Sequence, residues 1–295
     1  MNVGEQPYRI LGVNGIDLVG LRWDVVEPRG VVAIAHGIHE HIGRYRHVAL
    51  ALNAAGYSVA GVDHQGHGRS AAPQQRTSNI RRFDDYVDDY IAVIETLFAV
   101  HTVPVIALGH SMGGLIAARA AMRIQDRLGG LVLSGPALQI PTDLSPLRLK
   151  LSLAISRLVP FIKAPGKGID GLSRDPMVRQ RLIEDELGVK QPLKLGIARQ
   201  LLLLSTDTLN RAAELTLPML VMHGAADTIT LPAGSEEFVR NASSPDKDFV
   251  RWPGDLHEIF NELDQDAVIA KLVDWLNIRF PANTRSADPL ATASD

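Results

Sequence analysis

Short β-branched and leucine-rich runs alternate along this chain with longer amphipathic stretches, and few architectures accommodate that rhythm. Strand-like runs occur at about Ile16–Val26, Val31–Ala35, Tyr57–Asp63, Val105–Leu108, Gly130–Ser134, Met219–His223 and Phe249–Trp252. Helical patterns separate most of them, at Tyr45–Ala55, Phe83–His101, Met112–Arg127, Gly234–Asn241 and Asp264–Phe280. Such alternation predicts an α/β fold, a mostly parallel central sheet flanked by helices on both faces. The first two strands are expected to pair as an antiparallel edge. From Pro136 to about Ala212 the strand rhythm stops and leucine-rich helical sequence broken by Pro and Gly takes over. This predicts a helical cap (136–212) inserted between two parts of a core, 1–135 and 213–280. The tail 281–295, "PANTRSADPLATASD", is poor in apolar residues and is expected to be disordered.

The fourth of these runs leads into "GHSMG" and then an Ala-rich helical stretch. Gly109 and Gly113, two before and two after Ser111, remove the Cβ atoms that would clash in a tight strand-to-helix turn. His110 shares the turn. The serine hydroxyl then sits at its tip beside a helix N-terminus, where a nucleophile is useful. A G-x-S-x-G string alone is a weak signal; the strand before it and the helix after it strengthen it.

A serine needs a base to take its proton, and histidine oriented by a carboxylate is the usual one. Reactive groups in a parallel sheet gather at the carboxyl ends of strands, which leaves His36, His64, His67, His110, His223 and His257 of the ten histidines. In a doubly wound hydrolase the chain order is serine, acid, histidine. His257 alone follows both Ser111 and a suitable acid, Asp227 in "HGAADTIT". Asp255 competes, but it lies two residues before His257 in the same loop and is poorly placed to sit behind the imidazole. Acyl transfer also needs N–H donors for the developing oxyanion. Met112, directly after the serine, is one candidate. Ile38 is the other, in the "HGIHEHIGRY" loop where Gly37 lets the backbone bend.

Composition narrows the remaining classes. A net charge of −3 implies no general attraction to nucleic acid. The absence of Cys excludes disulfides, thiolate metal sites and a cysteine nucleophile. His36, His39, His41, His64 and His67 would suit a metal only with carboxylates at ligand spacing, which are scarce, so neither metal nor cofactor is expected. The start "MNVGEQPYRI" lacks the basic and apolar segments of a secretory signal, and a cytoplasmic protein is the default expectation.

With "HGIHEHIGRY", "DHQGHGRS", "GHSMGG", "HGAADT" and "LHEIFNE" in that order, the chain resembles the monoacylglycerol lipase branch of the α/β-hydrolase superfamily over about residues 8–280. The cap segment "LSRDPMV" also looks like a family stretch. The resemblance implies an α/β-hydrolase fold, a Ser111, Asp227, His257 triad, an oxyanion hole from Ile38 and Met112, and monoacylglycerols as substrate. His36, Gly37 and Glu40, with His41, Arg44 and Tyr45, then support the shape of the oxyanion loop, as Gly109, His110 and Gly113 support the serine turn. After "SRDP" the pattern departs, reading "IEDELGVKQPLKLGIARQLL" where relatives carry a second Asp-Pro. Other esterases, a lysophospholipase and a non-catalytic binding protein on the same fold therefore stay open.

Within the cap, Ser145-Pro146 reads as the start of a helix to about Val159. Leu147, Leu151, Ala154, Ile155 and Leu158 share one face, expected to pack on the body, with Leu149 and Leu153 nearly opposite and facing out. From 137 to 212 there are 12 Lys and Arg against 7 Asp and Glu. A basic cap with outward leucines suits transient docking on an anionic membrane surface; an ordinary solvated cap or a dimer contact accounts for the same composition.

Overall fold

The computed structural model describes residues 2–78, 80–142, 144–164 and 171–281. Its strands are β1 (Asn2–Leu11), β2 (Asp17–Val25), β3 (Gly30–Ala35), β4 (Tyr57–Val62), β5 (Val105–His110), β6 (Gly130–Ser134), β7 (Met219–Gly224) and β8 (Lys247–Trp252). The helices are α1 (Arg46–Ala54), α2 (Asp84–Val100), α3 (Met112–Ile124), α4 (Pro146–Leu158), α5 (Pro176–Glu184), α6 (Leu195–Asn210), α7 (Pro232–Asn241) and α8 (Gln265–Arg279). The strands form one sheet in the order β1-β2-β4-β3-β5-β6-β7-β8, parallel from β4 onward.

Two apolar layers follow from the period-2 alternation of the buried strands. On β3 and β5, Val31, Ala33, Ala35, Val105 and Ala107 pack into the layer covered by α2 and α3, with Tyr90, Leu115 and Ile116. Val32, Ile34, Ile106 and Leu108 point the other way, onto Val48 and Leu52 of α1 and Leu272 and Trp275 of α8. The chain leaves β3 toward β4 on one side and leaves β5 toward β6 on the other, so a crevice opens at the carboxyl ends of these two neighbours. Their register pairs Ala35 with Gly109, which sets the loop after β3 beside the turn after β5.

The edge differs from the sequence expectation. β2 does not pair with β3; it lies antiparallel between β1 and β4, with Leu21 opposite Gly61. The β1 strand escapes the hydrophobic pattern because it is an edge strand whose side chains, from Gly4 to Arg9, alternate between half-buried and exposed, with Glu5, Pro7 and Arg9 on the exposed side. The tail expectation falls outside the described residues from 282 onward.

Between β6 and β7 run α4, α5 and α6. α6 is rooted in the body: Ile197 and Leu201 join the α3 layer, and Asp207 pairs with Arg119 of α3 at 2.7 Å. α4 begins after Ser145 as expected, with Pro146 in its first turn. Its orientation is the reverse of the expected one. Leu147, Leu151, Ile155 and Leu158 are exposed, whereas Leu149 and Leu153 are half-buried and Ser156 is buried. The helix carries apolar residues on nearly every side, so periodicity does not say which face turns inward; α6 does, through Arg199, which donates to the Leu153 carbonyl at 3.2 Å.

Candidate active site

Ser111 joins β5 to α3 with φ +54°, a left-handed conformation that few non-glycine residues adopt. The surroundings hold it there: its N–H donates to the Ser134 carbonyl at 3.0 Å, and its carbonyl accepts from Gly114 and Ala137 at 3.0 and 2.9 Å. The flanking glycines are required by contact. A Cβ on Gly109 would lie 2.1 Å from the Gly113 carbonyl oxygen, and one on Gly113 would lie 2.0 Å from that of Ala35. This close approach brings α3, and Met112 as its first residue, against the end of β3.

Three residues from three strand ends meet in one line. Ser111 Oγ lies 2.8 Å from His257 Nε2, and His257 Nδ1 lies 2.7 Å from Asp227 Oδ2. All three are buried or nearly so. The carboxylate accepts at Nδ1, so Nδ1 carries the ring hydrogen and Nε2 is left to accept the serine proton. Burial alone would depress the His257 pKa, but the hydrogen bond and charge of Asp227 outweigh it and raise it above 6.5.

Asp227 is held by more than His257. Its Oδ1 accepts from the N–H groups of Ile229 and Thr230 at 2.7 and 3.1 Å, and its Oδ2 also accepts from Thr230 Oγ1 at 2.9 Å and His223 Nε2 at 3.0 Å. Burial would raise its pKa; the bonds from His223 and His257 reverse that and hold the carboxyl far below the ordinary range. Asp255 is not brought to the imidazole. It is buried and paired with Arg174, and burial pushes its carboxyl up to about 6 against the pull of that arginine.

The loop after β3 is pinned residue by residue. His36 Nδ1 donates to the Gly37 carbonyl at 2.7 Å, while its Nε2 accepts the His64 N–H at 2.9 Å. Glu40 accepts from the Gly37 N–H at 3.2 Å and from Tyr45 Oη at 2.9 Å. With the Gly37 carbonyl fixed, the trans peptide directs the Ile38 N–H the opposite way. His110 packs its ring 4.9 Å from that of His257 and uses Nδ1 on the Ser134 carbonyl at 2.9 Å. His36, His64 and His67 pack edge-on or tilted in a buried cluster, with both ring nitrogens of His36 and His67 and Nε2 of His64 on backbone groups or Ser78, and among the described residues no group of three His, Asp or Glu is arranged to hold a metal.

Sequence reasoning passed over one partner here. Arg44 donates to both oxygens of Glu258 at 3.0 and 2.6 Å and pairs with Glu40 at 3.1 Å, so one half-buried guanidinium ties the β3 loop to the residue after His257. Adjacency to His257 in "LHE" is the signal that could have drawn attention to Glu258.

Comparison with known proteins identifies the family. The family model described as "Serine aminopeptidase, S33" matches residues 26–264. A monoacylglycerol lipase of Mycolicibacterium smegmatis is 38% identical over 274 residues, covering 92% of this chain and 97% of that protein. The crystal structure of the Paleococcus ferrophilus monoacylglycerol lipase superposes with a TM-score of 0.77 at 26% identity, over 94% of this chain and 100% of that one. A soluble variant of the Saccharomyces cerevisiae monoglyceride lipase, at 23% identity, has the same fold with a TM-score of 0.79 over 93% of this chain and 95% of that one. The chain thus belongs to the serine aminopeptidase S33 family of α/β-hydrolases, in the branch that holds the monoacylglycerol lipases.

Proposed function

We propose that this carboxylic ester hydrolase cleaves monoacylglycerols to fatty acid and glycerol through an acyl-enzyme on Ser111. The reading is carried by the continuous relay from Asp227 through His257 to Ser111 Oγ, on a serine held at a strained turn. His257 takes the proton as Oγ attacks the ester carbonyl, and Asp227 keeps the ring in the required tautomer and stabilises the imidazolium. The N–H groups of Ile38 and Met112 stabilise the oxyanion, each worth about 3 kcal/mol in a site of this kind. His257 then returns the proton to the leaving glycerol, and water activated by the same ring releases the acid. The substrate class is supported by the monoacylglycerol lipase relatives.

Residues 136–212 are taken as a cap over this site. The exposed Leu147, Leu151, Ile155 and Leu158 of α4 continue into exposed Phe161 and Ile162, a strip suited to peripheral contact with a lipid surface. No helix among the described residues is long and apolar enough to cross a membrane.

The test is fatty-acid release from mono-, di- and triacylglycerols, a lysophospholipid and short esters, with Ser111→Ala as the blank. Preferred turnover of monoacylglycerol, at least about 10⁴-fold lower in Ser111→Ala, is expected. Preference for short esters with poor turnover of long monoacylglycerols would sink the substrate assignment.

A further inference from the structure

His41 and Asp185, 144 positions apart, meet where the cap touches the oxyanion loop. His41 Nε2 lies 2.9 Å from Asp185 Oδ2, and His41 is only 7% exposed. The other ring nitrogen accepts the Gly43 N–H at 3.1 Å, so Nε2 carries hydrogen and donates to the carboxylate. A second bond runs beside it: the His39 carbonyl accepts the N–H of buried Val189 at 3.0 Å. Asp185 is itself oriented, its Oδ1 accepting the Leu187 N–H at 2.8 Å. The segment 185–189 therefore straps residues 39–41 from the cap side.

The strap falls on a backbone that needs holding. His39 has φ +66°, a left-handed conformation that persists in a non-glycine residue only where the surroundings over-determine it. Glu40 and His36 fix the loop from the body, on the Gly37 side of Ile38. The strap fixes it from the other side, on His39 and His41.

We propose that Asp185 is a positioning residue for ester hydrolysis: acting through His41, it holds the loop that presents the Ile38 N–H to the oxyanion. The proposal rests on the reading of Ile38 as an oxyanion donor. It also gives a role to the cap stretch that follows "SRDP". Through His41, that stretch shapes the reaction centre.

Asp185→Asn and Asp185→Ser both keep an acceptor for the Leu187 N–H; the first can then turn only an amide N–H toward His41, and the second falls short of it. Exposed Glu186 supplies the control, Glu186→Gln. We would measure kcat and KM on a short soluble ester and on a monoacylglycerol, the rate of fluorophosphonate labelling of Ser111, and Tm. Both Asp185 variants are expected to lose about tenfold in kcat on the short ester with KM changed less than about twofold, and to label correspondingly more slowly. Their Tm is expected within about 3 °C of wild type, with the control unchanged. Unchanged kcat on the short ester with KM raised only for monoacylglycerol would reduce the strap to a cap anchor. Activity lost only in step with unfolding would also overturn the proposal. Wild-type protein that does not label would overturn the hydrolase reading together with the proposal, whereas labelled wild type with equally reactive variants overturns the proposal alone.

Discussion

Two helices of equal length, 13 residues each, are held by opposite means. α3 buries every residue from Met112 to Ala121 between the sheet and α2 and α6, and its N-terminus carries the serine turn. α4 buries Ser156 and leaves Leu147, Leu151, Ile155 and Leu158 in water. Tertiary packing fixes α3 to within the clearance of a glycine, whereas α4 is held by a narrow inward face and keeps its apolar surface free. Chemistry that needs its groups fixed within about half an ångström sits on the first kind of element. Contact with a lipid phase, which needs only area, suits the second.

The contrast can be broken or sharpened by substitution. On the rigid side, Asp227→Asn is expected to cost about 10⁴-fold in kcat/KM, because an amide there favours the wrong imidazole tautomer. The pH profile tests the same carboxylate. His257 must be neutral to act as a base and its pKa is raised, so kcat/KM should fall as pH drops through a midpoint above 6.5. Losing the Asp227 charge removes what raises it, so the residual activity of the variant should have its midpoint at lower pH. A midpoint that stays put would show that Asp227 does not set the His257 pKa.

Gly113→Ala comes next in size. The new methyl would overlap the Ala35 and His36 backbone, and a loss of about 3 kcal/mol or more is expected in denaturant melts. An unperturbed melt would show that β3 and α3 are not locked together as the contact implies. Smallest in stability is Leu151→Glu on α4, expected to shift folding by no more than about 0.5 kcal/mol since the side chain is 60% exposed. The same variant should sediment less with anionic vesicles than wild type; equal sedimentation would leave the strip without a lipid role.

Much of the site could be read from the chain because its parts are local. Gly109 makes room for a carbonyl only four residues away, that of Gly113, and the order Ser111, Asp227, His257 follows once the strand rhythm is read as a hydrolase sheet. The remainder is relational. The bonds of His223 and Thr230 to Asp227 depend on how the loop after β7 folds back, and the Arg44 pair with Glu258 spans 214 positions. β1 was hidden for a related reason: an edge strand needs only one buried face, so its pattern is too weak to stand out without its neighbour β2.

The sequence by itself determined the layered α/β class, the serine turn and the chemical type of the residues at the strand ends, since periodicity and turn chemistry are written residue by residue. Only the tertiary structure decided that β2 pairs with β4, that Asp227 is held by five donors while Asp255 is spent on Arg174, and that α4 turns its fuller apolar face outward. A one-dimensional pattern records which side chains avoid water. Which surface each one meets is settled by elements far away in the chain.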